Sequence, residues 1–258
     1  MKIFNLYESV LKEEETTKNV QSCIRHFGHE LFGDQISYKE PNTSIESKFA
    51  EMIYNFTDFA YGTQLSTDNP GFIAAMNKLQ SCMSSYPEIL MPEDTSAYRG
   101  ISFTLDKAIK LWQSVNGKTQ FKLKYTPMHY IESWTESVNV GIEFAHMSQT
   151  PWLSDLATTI SKLKDPNDII NAINEEMPSN HYHTVSKVGF ALEHRIIRDE
   201  FLFKSKYFGK LSHITSEQEV IRLSDAPMVC NWVVASPSIF QVLIPTLLQY
   251  KDKLKIFS

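Results

Sequence analysis

The spacing of the apolar residues changes near residue 90, and this change constrains the fold more than any other feature of the sequence. Before residue 90, apolar residues recur every three or four positions in three successive segments, which is typical of amphipathic helices. After it, short runs rich in β-branched and aromatic residues alternate with helical stretches. The sequence therefore predicts an α+β fold, with an N-terminal helical region over residues 1–90 and a mixed domain over residues 91–258.

The local signals place individual elements within this plan. The first helical segment covers residues 10–32, the second follows a capping box of Thr43 and Glu46, and the third begins at Pro70. Later helices are predicted after the cap residues Thr104 and Asp165. Five runs have the composition of strands: 97–103, 119–125, 185–197, 219–223 and 228–235.

The composition indicates an ordinary folded protein. With 258 residues, 42% of them hydrophobic, the chain can fill a sizeable core. Its formal charge of -5 disfavours nucleic acid as a general partner, although Lys204, Lys206 and Lys210 could form a local basic patch. The acidic residues 13–15 interrupt any secretory signal, and the apolar run 239–248 is too short to cross a bilayer. We expect a cytoplasmic protein with no membrane insertion.

The cysteines and histidines give no sign of a metal site. Cys23, Cys82 and Cys230 are far apart in the sequence and have neither metal-ligand nor redox spacing, which favours a reducing compartment and argues against a disulfide framework. His181 and His183 lack a third ligand, so no metal is predicted. No glycine-rich strand-to-helix turn is present, and a bound nucleotide would need a cradle unlike that of the dinucleotide fold or the P-loop.

A first motif, Tyr98-Arg99-Gly100, lies in a predicted strand. An arginine there presents a planar, permanently charged fork that can grip a pyrophosphate at two points. The adjacent glycine would let a ligand approach the backbone closely. Taken alone, the triplet is more typical of an ordinary strand arginine in an ion pair.

A second motif, Ser133-Trp134-Thr135, is followed by Ser137 and then by helical spacing. On an extended strand Ser133 and Thr135 point to the same side, where their hydroxyls could orient a carboxylate or a sugar. The competing interpretation is that Thr135 or Ser137 simply caps the helix that follows.

A third motif, Glu217-Gln218-Glu219, leads into an apolar run. Because strand side chains alternate, Glu217 and Glu219 would share one face, and two close carboxylates are usually kept for a purpose or face free solvent. An exposed acidic edge and a functional pair explain this motif equally well.

The three motifs occur once each and in this order. Together they resemble the signature of the arginine-serine-glutamate (R-S-E) clade of mono-ADP-ribosyltransferases, which includes bacterial toxins, vertebrate ecto-enzymes and bacteriophage enzymes. The likeness runs from about residue 74 to residue 223 and is strongest over residues 216–221, while the stretch 147–183 departs from the shortest members. It implies an ADP-ribosyltransferase-like split β-sandwich after the N-terminal helical region. If the chain is phage-encoded, the resemblance also implies that the protein acts in the host cytoplasm.

The resemblance also implies a substrate and a site. NAD would be the substrate, with no metal, and Arg99 would clamp its phosphates. Tyr98, Gly100, Ser133 and Thr135 would complete the NAD site.

The same resemblance implies how the chemistry is divided. Ser133 would hold Glu219, the catalytic carboxylate, in position, while Glu217 would face the acceptor, where this family's choice of glutamate goes with arginine targets. Tyr207 or Phe208 could help to recognise the acceptor protein, although core packing is the favoured explanation for both aromatics.

Three alternatives remain open from the sequence. The chain could be an NAD glycohydrolase, or a transferase that modifies nucleic acid, although a nucleic-acid acceptor is not favoured. It could also be a non-catalytic helical interaction module in which the motifs occur by chance.

Overall fold

The structure, a computed structural model, does not describe every residue of the chain. The described residues are 2–32, 70–127, 131–177, 185–197, 202–207, 219–224 and 226–257. The capping box predicted at Thr43 and Glu46, and the histidines His181 and His183, lie outside these ranges.

The described residues form seven α-helices and seven β-strands. The helices are α1 (Lys2–Phe32), α2 (Pro70–Met83), α3 (Leu105–Ser114), α4 (Val138–Met147), α5 (Trp152–Ile160), α6 (Pro166–Glu176) and α7 (Ile244–Gln249). The strands are β1 (Ser96–Thr104), β2 (Gln120–Tyr125), β3 (Ile131–Thr135), β4 (Lys187–Arg195), β5 (Leu202–Lys204), β6 (Glu219–Leu223) and β7 (Met228–Val234). This mixture of helices and antiparallel strands confirms the α+β prediction. None of the described helices is long and apolar enough to cross a membrane.

Several predicted elements are present where local signals placed them. Helix α2 begins at Pro70, and Asp165 caps α6 by accepting a hydrogen bond from the Asn167 amide at 2.7 Å. Thr104 precedes α3 but makes no side-chain cap. All five predicted strands exist, whereas the short strands β3 and β5 were not among them.

The chain divides into two compact units. The first unit comprises Met1–Ala97, Tyr125–Glu136 and Arg195–Met228, and its strands follow the order β3-β6-β5. The second unit comprises Tyr98–Lys124, Ser137–His194 and Val229–Ser258, and its strands follow the order β2-β7-β4-β1. A single boundary near residue 90 remains a prediction.

The core of the first unit joins α1 and α2 to β5 and β6. Its largest contributors are fully buried apolar residues of the two helices and the two strands: Val20, Ile24, Met76, Leu79, Met83, Phe203 and Ile221. A disulfide between Cys23 and Cys82 links α1 to α2 within this core. The expectation that these cysteines stay unpaired was wrong, because packing of the two helices brings together residues 59 positions apart in the sequence. The pairing also removes the cysteine argument for a reducing compartment.

The core of the second unit is aromatic. Phe190 packs edge-on against both Trp232 and Phe240, and Phe121 stacks on Trp232. These side chains come from β2, β4, β7 and a π-helical turn at Ile239–Leu243. Pro245 lies two residues after this turn and has no N–H with which to continue a regular helical hydrogen-bond pattern.

Candidate functional site

The antiparallel pairing of β3 with β6 organises the second and third motifs. In this register Ser133 lies opposite Ile221, and Thr135 lies opposite Glu219. Directly opposed residues on antiparallel strands project from the same face of the sheet. Two hydroxyls, one carboxylate and one apolar residue therefore share a single face.

Ser133 and Glu219 are in direct contact on this face. The Ser133 Oγ donates a hydrogen bond to the Glu219 Oε1 at 2.5 Å, although the two residues are 86 positions apart in the sequence. Such a short distance is typical of a hydroxyl that donates to an ionised carboxylate. Both side chains are only partly buried, so the carboxylate is held in place while it stays accessible.

The surroundings of this pair are tightly packed. Thr135, directly opposite Glu219, is 3% exposed. Ile221 projects from the same face two residues further along β6 and packs into the core beneath α1 and α2. Ile221 thus anchors β6 in the apolar core, and Glu219 lies two residues earlier, at the start of the strand.

The opposite face of the same two strands carries buried charged residues that the sequence analysis missed. Glu132 is fully buried and accepts a 2.7 Å hydrogen bond from the Tyr125 hydroxyl. Its cross-strand neighbour Arg222 is 3% exposed and donates to the carbonyls of Ser224 and Ala226 at 2.6 and 2.7 Å. The available signal was the presence of charged residues inside two strand-like runs, Glu132 in IESWT and Arg222 in EVIRL.

The first motif lies in the second unit, on β1. Tyr98 and Arg99 are half-buried, and Gly100 is buried against α4. A Cβ atom at Gly100 would come within 2.6 Å of the Phe144 Cβ, and one at Gly141 within 2.7 Å of the Tyr98 Cβ. Close packing of α4 on β1 therefore requires glycine at both positions, which accounts for Gly100 without a ligand.

Ser137 caps the N-terminus of α4, the helix that follows the second motif. The Ser137 Oγ accepts a hydrogen bond from the Val140 amide at 3.4 Å. Thr135 instead lies within β3. The hydroxyls of Ser133 and Thr135 are thus not used as helix caps.

The remaining predicted residues divide into two groups. Glu217 and Phe208 lie outside the described residues. Tyr207 is 8% exposed and belongs to the core of the first unit, which agrees with a packing role. The structure thus brings Ser133, Thr135 and Glu219 together in the first unit, while the first motif belongs to the second.

The lysines near the third motif are paired with acids. Lys204 lies 3.9 Å from Glu136, and Lys206 lies 3.2 Å from Glu13 on α1. Burial has the largest single effect and lowers the pKa of Lys206, but the hydrogen bond and negative charge of Glu13 together with Tyr207 outweigh burial, and the pKa is raised overall. Lys204 and Lys206 therefore do not form the free basic patch that the sequence allowed.

Comparison with known proteins adds no relative. No family model matches the chain, and neither does any curated protein or solved structure. Within the described ranges, no group of three histidine, cysteine, aspartate or glutamate residues could hold a metal ion.

Proposed function

We propose that this chain is a mono-ADP-ribosyltransferase of the R-S-E type. It would cleave the bond between nicotinamide and ribose in NAD and transfer ADP-ribose to arginine side chains of target proteins. The observation that carries the proposal is the 2.5 Å hydrogen bond from Ser133 to Glu219, which unites the second and third motifs on adjacent strands. The ADP-ribosyltransferase-like split β-sandwich is part of the same proposal.

The geometry of Glu219 suits the chemistry of this reaction. When the bond between C1′ of the ribose and the nicotinamide nitrogen breaks, its electron pair leaves with nicotinamide and positive charge develops on the sugar. A carboxylate whose orientation is already fixed stabilises that charge without reorganising during the reaction. Ser133 fixes one oxygen, Oε1, of this carboxylate, which would bind the ribose hydroxyls during the reaction.

The other motif residues complete the proposed mechanism. Arg99 binds the pyrophosphate of NAD as a bidentate cation, with Tyr98 beside it, while Gly100 lets α4 pack closely on β1. Glu217 binds the acceptor guanidinium and takes its proton as the nitrogen attacks C1′. The products are the N-glycosylated arginine, free nicotinamide and one proton.

The test compares Glu219→Gln with wild-type protein in a lysate that contains NAD labelled on its adenylate part. We expect the variant to lose labelling of proteins by about 100-fold or more, because the amide keeps the shape of the side chain but not its charge. Glu143→Gln makes the same chemical change at an exposed position of α4 and should label normally. Equal labelling by the wild-type and Glu219→Gln proteins would end the assignment.

The same assay separates the alternative functions. Nicotinamide release without labelled macromolecules would indicate an NAD glycohydrolase, and label in the nucleic-acid fraction would indicate a nucleic-acid acceptor. Protein adducts on arginine are expected to be labile to hydroxylamine. No nicotinamide release under any condition would leave the non-catalytic interaction module.

A further inference from the structure

Five of the eleven exposed lysines of the second unit lie in one stretch of the chain. Residues 105–125 contain five lysines and one aspartate, a net charge of +4, whereas the whole chain carries -5. All five lysines are exposed. Lys118, Lys122 and Lys124 lie on β2 or just before it, and we call these three residues the basic edge.

Strand β2 lies at the end of the strand order β2-β7-β4-β1. Among the described residues, one side of β2 therefore has no neighbouring strand. Lys122 and Lys124 are two residues apart, so their side chains project from the same face, with about 7 Å between them along the strand. The edge thus combines backbone groups that can pair with another strand and a row of positive charges.

No acidic side chain neutralises the basic edge within the described part of the chain. Lys110 on α3 forms an ion pair with Asp106 at 3.2 Å, and Lys204 and Lys206 pair with glutamates. The described ion pairs do not include Lys118, Lys122 or Lys124. The three charges are therefore available to a partner.

We propose that the basic edge binds an acidic, extended polypeptide segment of the acceptor protein, an inference that rests on the proposed transferase function. An extended segment adds to an open strand edge through backbone hydrogen bonds, and its carboxylates meet the lysines. Lysines on an edge also prevent pairing with a second copy of the same edge. The same positive charges that repel a second copy of this edge favour a strand that carries negative charges.

Nucleic acid fits the basic edge less well than an acidic polypeptide. A phosphate backbone would use the lysines but not the backbone hydrogen-bonding groups of β2. The net charge of -5 also repels a long polyanion more strongly than a short acidic segment.

Binding is tested by fluorescence anisotropy with the full chain and a labelled peptide of alternating glutamate and threonine. We expect the charge-reversal variant Lys118→Glu/Lys122→Glu/Lys124→Glu to weaken binding about tenfold or more. The matched control reverses three exposed lysines elsewhere in the second unit, Lys162, Lys164 and Lys251, and should change the Kd less than threefold. A lysine-threonine peptide should not bind.

Two further measurements separate the effect of charge at the basic edge from other causes of weaker binding. The variant with glutamine at all three positions of the basic edge removes the positive charges without reversing them. It should weaken binding by an intermediate factor. A single-stranded oligonucleotide of the same net charge serves as the competing ligand. Absence of peptide binding, equal weakening by the control variant, or tighter binding of the oligonucleotide would each overturn the proposal.

Failure of this proposal is distinguishable from failure of the proposed function. Peptide binding is measured without NAD, and Glu219→Gln, which would lose labelling, should bind the peptide as tightly as the wild-type protein. In the labelling assay, an arginine placed in the acidic peptide should be modified with a lower KM than one in a neutral peptide. Equal KM values for the two peptides would show that the basic edge does not select the acceptor.

Discussion

The β3–β6 pair and the β4–β7 pair are both antiparallel, but their interiors differ. Leu192 opposes Trp232 in the β4–β7 pair, and both side chains are almost completely buried. In the β3–β6 pair, Glu132 opposes Arg222, and these residues are 0% and 3% exposed. Burial of apolar side chains stabilises a sheet directly, whereas buried charges cost free energy unless fixed partners satisfy them.

This difference suggests what each pair contributes. The aromatic interior of β4 and β7 provides stability for the second unit. The buried polar residues of β3 and β6 lie on one face of strands whose other face carries Ser133 and Glu219. Departures from an apolar interior are expected where a protein has a functional site. Three substitutions test this contrast, in order of their expected effect on the free energy of unfolding.

The largest effect is expected from Trp232→Ala in β7. The indole is 3% exposed and contacts Phe103, Phe121 and Phe190, so its removal leaves a large cavity. We expect a loss of about 3–5 kcal/mol in the free energy of unfolding, measured by urea denaturation. A loss below about 1 kcal/mol would contradict the stabilising role of this aromatic interior.

An intermediate effect is expected from Tyr125→Phe. The change removes the hydroxyl that donates to buried Glu132 and should lower the free energy of unfolding by about 1–3 kcal/mol. Tyr250→Phe is the control, because this partly exposed tyrosine should tolerate the change. Equal, small losses for both variants would show that the buried polar pair contributes nothing specific.

The smallest effect on stability, but a large effect on activity, is expected from Ser133→Ala. The hydroxyl is partly exposed, so its loss should change the free energy of unfolding by about 1 kcal/mol or less. Nicotinamide release should fall about 10-fold to 100-fold in kcat with little change in the KM for NAD, because Glu219 loses its orientation. Ser102→Ala on β1 is the control. A change confined to KM would show that Ser133 only binds substrate.

Local features of the fold were predictable from the sequence because their signals lie within a few residues. Pro70 begins a helix, Asp165 caps another, and the five predicted strand-like runs contain strands. Strand β5 has only three residues, too few for a pattern, and three of the five residues of β3, Glu132, Ser133 and Thr135, are polar.

Contacts between distant segments were not predictable in the same way. The spacing of Cys23 and Cys82 contains no sign that two helices pack together and pair them. The buried partnership of Glu132 with Tyr125 depends on how the chain returns after β2. The contact of Ser133 with Glu219 was predicted only through the resemblance to a family, since residue spacing alone does not show that the two segments lie on adjacent strands.

The Cys23–Cys82 disulfide closes a covalent ring around residues 24–81. A protease that cut once inside this ring would open the backbone without releasing either product, because the sulfur bridge still connects them. The nicked molecule would keep its original mass apart from one added water. Only after treatment with a thiol would the amino-terminal fragment be free to leave.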